Sequence, residues 1–295
     1  MKKILLSIVF VFVFAYIGQA QSRYIYTQYF VNPVLINPGA TGYNGGQNLL
    51  LNYRNTWASF PGSPKTFSFS YDGMVADKVG LGAFVMSDTY GSLQTTKGQL
   101  SYSYNLKGKD YDFGLGFTTE YSKYSLTGGG FGSDGNDPKI IERRDGDKFF
   151  EVAVGAHGIL QDKFMISAVF PGLVRSKINA DENEAKEEKQ FNYIFGLGYI
   201  YKIPEYEMGI YPSVYVKKLR YINTLIDANL LLTFYDGMLS GGATYGFGDD
   251  KRLGFIIGAK LNKLSFNYSY DFSFKGFQGY NNGSHEFTIG YYFKR

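Results

Sequence analysis

Leu264-Ser265-Phe266-Asn267-Tyr268-Ser269-Tyr270-Asp271-Phe272 decides the fold. Large apolar or aromatic residues occupy every second position, and small or hydrogen-bonding residues fill the positions between. That period of two belongs to a β-strand, whose successive side chains face opposite sides. The same pattern recurs at Phe67-Phe69-Tyr71, at Leu100-Tyr102-Tyr104, and at Phe113-Leu115-Phe117-Thr119-Tyr121. It returns at Phe191 through Tyr201 and at Phe287-Ile289-Tyr291-Phe293. The large residues form one face and the small polar ones the other. Strands of about 9–11 residues match a tilted crossing of a bilayer.

Composition agrees with this pattern. Phe, Tyr and Trp make up 18 % of the chain, and 37 of its 295 residues are Gly, against an average Gly content near 7 %. Charged residues are 19 % and mean hydropathy is −0.19. These values exclude a bundle of apolar membrane helices, and so many aromatics argue against disorder. The formal net charge of +4 gives no basic surface of the kind that binds nucleic acid.

Lys2-Lys3, an apolar run from Ile4 to Ile17 and Gly18-Gln19-Ala20 form the pattern of a cleaved secretory signal. The expected domains are a signal peptide at 1–20, a periplasmic N-terminal segment at 21–46 and a barrel at 47–295. The chain has no Cys, so lipoprotein anchoring, disulfides and thiolate metal sites are excluded.

Fourteen strands are expected: 47–57, 65–73, 78–88, 95–106, 111–125, 148–160, 163–171, 190–202, 206–217, 223–235, 238–248, 252–261, 263–274 and 284–294. An even number suits an all-β, antiparallel transmembrane β-barrel closed on itself, since an open edge in lipid would strand backbone polar groups. Even-numbered connections are mostly short, for example Gln161-Asp162, Asp236-Gly237 and Asn262. Odd-numbered ones are mostly longer, as at Leu126 to Asp147 and Gly172 to Lys189. Short turns on one side and long loops on the other is the outer-membrane arrangement, with both termini periplasmic.

Chemistry is sparse. His157 follows Glu151, Ala153 and Gly155 on the small-residue face and reads as part of an interior hydrogen-bond network. The Gly-rich stretch 128–138 lacks the ending of a phosphate loop and the terminal Glu of a calcium loop, so it reads as a surface loop. The charge run 181–189 reads as a solvated face. No nucleophile elbow is present. The expectation is no catalytic site, no cofactor and no metal.

Two clusters stand out. Tyr26 to Gly42 carries two Asn-Pro steps, Asn32-Pro33 and Asn37-Pro38, which mark successive turns. Proline excludes an inner strand there, so an ordered segment on or in the periplasmic mouth is expected. In the second cluster, Arg54 shares parity with Asn52 and Thr56 and is expected in the lumen, with Asp72 or Glu120 as partner. Trp57 has the opposite parity and is expected in the interfacial aromatic belt. In the last strand, Phe287, Ile289, Tyr291 and Phe293 with Gly290 between them suit recognition by strand pairing during barrel assembly.

Gln28-Tyr29, Asn32-Pro33, Asn37-Pro38-Gly39 and Gly42, then Tyr53-Arg54 and Trp57, then Asp72, together with the terminal strand, resemble the PorP/SprF family of outer-membrane proteins. The departures are Gly39-Ala40, where Ala and then an aromatic would be expected, and Lys294-Arg295 beyond the terminal aromatic. The resemblance implies a Bacteroidota outer membrane and a role in type IX secretion and gliding. It implies as partner the C-terminal domain of a secreted adhesin or effector, with translocon and periplasmic ring components as further partners. It implies neither catalysis nor a cofactor. The motif residues are then candidates for partner binding. The alternative is an outer-membrane pore or transporter for a small or hydrophobic solute.

Overall fold

The structure is a computed structural model; it describes residues 26–43, 45–126, 146–178, 191–220, 222–248, 251–274 and 281–293. The expected signal peptide, the Gly-rich stretch and the charge run lie outside the described residues.

One antiparallel sheet closes on itself. Its strands are β1 (Gln47–Asn55), β2 (Lys65–Ala76), β3 (Val79–Tyr90), β4 (Leu93–Lys107), β5 (Tyr111–Leu126), β6 (Asp147–Leu160) and β7 (Phe164–Lys177). They continue as β8 (Tyr193–Tyr199, resuming after Ile200 as Tyr201–Ile203), β9 (Met208–Lys218), β10 (Leu225–Phe234) and β11 (Leu239–Phe247), then β12 (Arg252–Leu261), β13 (Leu264–Ser273) and β14 (Ser284–Phe293). Each strand pairs with its neighbours in sequence, and both parts of β8 pair with β9. β14 pairs with β1 over nine register positions, from Gln47↔Phe293 to Asn55↔His285. The fourteen-stranded barrel read from the period of two is the observed fold.

Alternation sorts the side chains. On β4, Leu100 and Tyr104 are exposed on the outside, while Ser101, Ser103 and Asn105 are buried inside. On β14, Phe287, Ile289 and Tyr291 face out, and Glu286, Thr288 and Gly290 face in. This inverts a soluble protein: the apolar surface is on the outside, where only lipid would cover it. The short connections are tight hairpin turns of two residues after Leu261, three after Leu160 and four after Phe234, and Gln161, Asp162, Tyr235, Asp236 and Asn262 take positive φ in them.

The seventh strand departs from its expected end at 171. β7 runs on to Lys177, because Pro171 and Gly172 form a bulge rather than a loop. Val152 pairs with Val174 and Val154 with Phe170, so residues 171–173 of β7 stand opposite Ala153 alone and two of them are extra. Gly172 takes φ +60 there, and a bulge absorbs both this angle and the donor that proline lacks.

Candidate functional site: a plugged lumen

The chain from Tyr26 to Tyr43 does not stand outside the barrel. It passes through the lumen and bonds to the inner wall on nearly every side. Three short 3-10 turns shape it: Gln28–Phe30, Pro33–Leu35 and Pro38–Ala40. Pro33 and Pro38 open the second and third, where a fixed φ and a missing donor cost nothing. The Asn37 side chain caps the third turn by accepting from the Gly39 amide at 2.8 Å.

The lower part of this plug, toward the short turns, is held by backbone contact. Asn37 Nδ2 donates to Ala156 O and to Ser167 Oγ, each at 2.8 Å. Ser103 Oγ donates to Thr41 O, and the Gly42 amide donates to Asp72 Oδ2 at 3.0 Å. Asn48 Nδ2 also reaches Asp72, at 3.3 Å. The wall makes room with glycine. A Cβ on Gly114 would lie 2.0 Å from Gly39 O, and one on Gly116 would lie 2.4 Å from Pro38 O. The inward glycines of β5 are therefore a mould for the third turn.

The upper part, nearer the long loops, is held by charge. Arg54 Nη1 lies 2.7 Å from Glu286 Oε2, and Arg54 Nη2 lies 2.7 Å from Asp271 Oδ2. Thr27 sits between these groups. Its amide donates to Glu286 Oε2 at 2.9 Å, and its hydroxyl donates to Asp271 Oδ2 and accepts from Arg54 Nη1. Gln28 Nε2 donates to Glu286 O at 3.1 Å. A second cluster gathers on Asp227 Oδ2: Lys217 Nζ at 2.5 Å, Arg252 Nη2 at 2.9 Å and the Tyr29 hydroxyl at 2.8 Å. Burial, then the Asp227 carboxylate, raises the Tyr29 phenol well above its ordinary range, so it stays protonated and donates. Together the two clusters hold three cations and three carboxylates, so the buried charge balances. Tyr29 also packs edge-on against Tyr215 and under Lys217 Nζ.

The residues singled out in the sequence are thus distributed. Gln28, Tyr29, Asn37, Pro38, Gly39 and Gly42 belong to the plug, with Arg54 and Asp72 on the wall that receives them. Asn32 and Pro33 form the turn between. Tyr53 faces outward, in register with Phe287 and Phe67. The partner expected for Arg54 is corrected: Asp271 and Glu286 take it, Glu120 pairs with Lys97 at 2.6 Å, and Asp72 caps Gly42. The reason is closure, which brings the last strands beside the first. Trp57 lies past the end of β1, in a turn at φ +55, so strand parity does not set its direction. It packs edge-on against Tyr90 at 6.3 Å, and its amide donates to Ser284 Oγ. His157 faces inward, as read, against the Tyr43 ring.

The sequence reading missed Thr27, Asp227, Asp271, Glu286, Lys217 and Arg252. Their signal was partly present: each carboxylate or cation falls on the inward parity of its strand, and Asp271, Glu286 and Arg252 have the small inward neighbours Ser269, Ser284 and Gly254, whereas Lys217 and Asp227 stand beside the buried Tyr215 and Leu225. Among the described residues no group of His, Asp and Glu could hold a metal ion.

Comparisons with known proteins agree with this architecture. Among solved structures the chain is similar to the CymD monoaromatic hydrocarbon channel, with 12 % identity, a TM-score of 0.54 and 95 % of each chain covered. It is also similar to a TodX monoaromatic hydrocarbon channel mutant, with 11 % identity, a TM-score of 0.53, and 89 % of this chain and 94 % of that one covered. The Ralstonia pickettii toluene transporter TbuX matches at 7 % identity and a TM-score of 0.51, covering 88 % and 92 %. These likenesses show a shared outer-membrane barrel fold. No curated protein matches. The family model described as type IX secretion system membrane protein PorP/SprF matches residues 18–291. A match over nearly the whole chain, on a plugged outer-membrane barrel, settles the family: the chain belongs to the PorP/SprF membrane proteins of the type IX secretion system.

Proposed function

We propose that this barrel is a non-catalytic anchor of the secretion and gliding machinery. It binds the C-terminal domain of a large secreted adhesin or effector and helps export it or hold it at the cell surface. In this reading the short-turn end and the end of β14 face the periplasm, where translocon and ring components meet it, and the long loops face outward. The observation that carries the reading is the plug. Tyr29, Asn37 and Thr41 are almost fully buried in the lumen, and a filled lumen suits a scaffold better than a conduit. The test is to isolate the tagged barrel from native membranes, identify the chains that co-purify, and label the adhesin among them on the surface of deletion cells. Loss of surface label on deletion, restored by the wild-type gene, is expected; full label in deletion cells contradicts the reading.

A second reading, passage of a small or hydrophobic solute, draws on the luminal cavity above the plug and on the hydrocarbon channels that share the fold. Solute uptake that depends on this barrel would favour it.

A further inference from the structure

A cavity of about 150 Å³ lies in the lumen between the plug and the long-loop end. Plug residues Tyr26, Tyr29 and Ile36 line it from below, and Phe84, Met86, Lys97 and Lys217 line it from the wall. A space of that size takes one benzene-sized ring and is smaller than the pockets that hold drug-sized ligands. Its lining discriminates among groups of that size. Phe84 and Tyr26 already meet edge-on at 6.4 Å and offer further ring edges. The Met86 sulfur, which accepts from the Tyr26 hydroxyl at 3.2 Å, favours aromatic over aliphatic neighbours. The charges in the same lining are already engaged: Lys97 is held by Glu120 at 2.6 Å, and Lys217 is held by Asp227 and stands over the Tyr29 ring at 4.6 Å, so the aromatic and sulfur groups set the preference.

We propose that this cavity is a binding site for a single aromatic ring, supplied from the long-loop side as a Phe or Tyr side chain of the secreted partner. The source of the ring rests on the function proposed above; the ring chemistry does not. Asn37 and Pro38 of the plug line the cavity on its inner side, so a ring seated there rests against the chain's own residues. That suits a side chain held in place rather than a free solute in transit.

The probes are toluene, p-cresol and methylcyclohexane, added to the full-length barrel in detergent and followed by saturation-transfer NMR. Toluene and p-cresol are expected to bind, and methylcyclohexane at least fivefold more weakly. Ala153→Trp on β6 and Thr118→Trp on β5 both fill the cavity and are expected to weaken ring binding at least tenfold. A heat-shifted band on gels identifies the variant that has folded. Absent binding, equal binding of methylcyclohexane, or unchanged binding in a folded filled variant overturns the site. In cells, a folded filled variant is expected to lose surface retention of the partner that co-purifies with the wild-type barrel. Unchanged retention overturns the assignment to a partner side chain. If retention is independent of the barrel altogether, the proposed function fails, and the NMR result still decides the site.

Discussion

Arg54 and Glu286 are register partners on the first and last strands, and their side chains meet at 2.7 Å inside the wall. The pair therefore sits on the seam where the barrel closes. The same guanidinium and carboxylate hold Thr27, so closing the sheet and seating the plug use the same charges.

Removing one member of a buried ion pair leaves the other uncompensated, at a cost of about 3–5 kcal/mol. Arg54→Ala should destabilise the barrel by this order, since both Glu286 and Asp271 lose their cation. The urea midpoint of the detergent-solubilised barrel measures it. Adding Glu286→Gln to Arg54→Ala should recover part of the loss; an unchanged midpoint for Arg54→Ala would show that the seam charges contribute nothing.

Gly114 faces the plug so closely that no side chain fits beneath Gly39. Gly114→Val should displace the third turn while leaving the strand pairing of β5 in place. A cysteine introduced at Ala40, which is buried in the wild-type barrel, should then become reactive to a soluble maleimide. Protection of that cysteine in the Gly114→Val background would refute the close fit.

Asn37 makes three hydrogen bonds from one side chain, to Gly39, Ala156 and Ser167. A net contribution of about 1 kcal/mol per bond gives Asn37→Ala a cost of roughly 2–3 kcal/mol, read in the same urea series. Tyr29→Phe loses one donor to a carboxylate that keeps Lys217 and Arg252, so its cost should be smaller, near 1–2 kcal/mol. A larger loss for Tyr29→Phe than for Asn37→Ala would reverse the roles given to the two ends of the plug.

Strand positions were legible because a barrel wall imposes a period of two that any local window shows. The strand expected at 263–274 is observed at Leu264–Ser273. The end of β7 was not legible, because Pro171 and Gly172 signal a turn and a bulge alike; only pairing with Val152 and Val154 separates them. The plug was half legible. Its two Asn-Pro turns and its aromatics marked Tyr26 to Gly42 as ordered, yet its depth depends on bonds to residues more than a hundred positions away, such as Asn37 to Ser167 and Tyr29 to Asp227. Arg54 shows the same limit. Parity placed it in the lumen, but Asp271 and Glu286 become neighbours only when the sheet closes.

Single-channel current through the purified full-length barrel in a planar bilayer reads out whether the chain's own residues occupy the lumen. No steady conductance is expected from the wild-type chain, and open-channel events are expected from Gly114→Val. A steady open pore in the wild-type chain would contradict that occupancy.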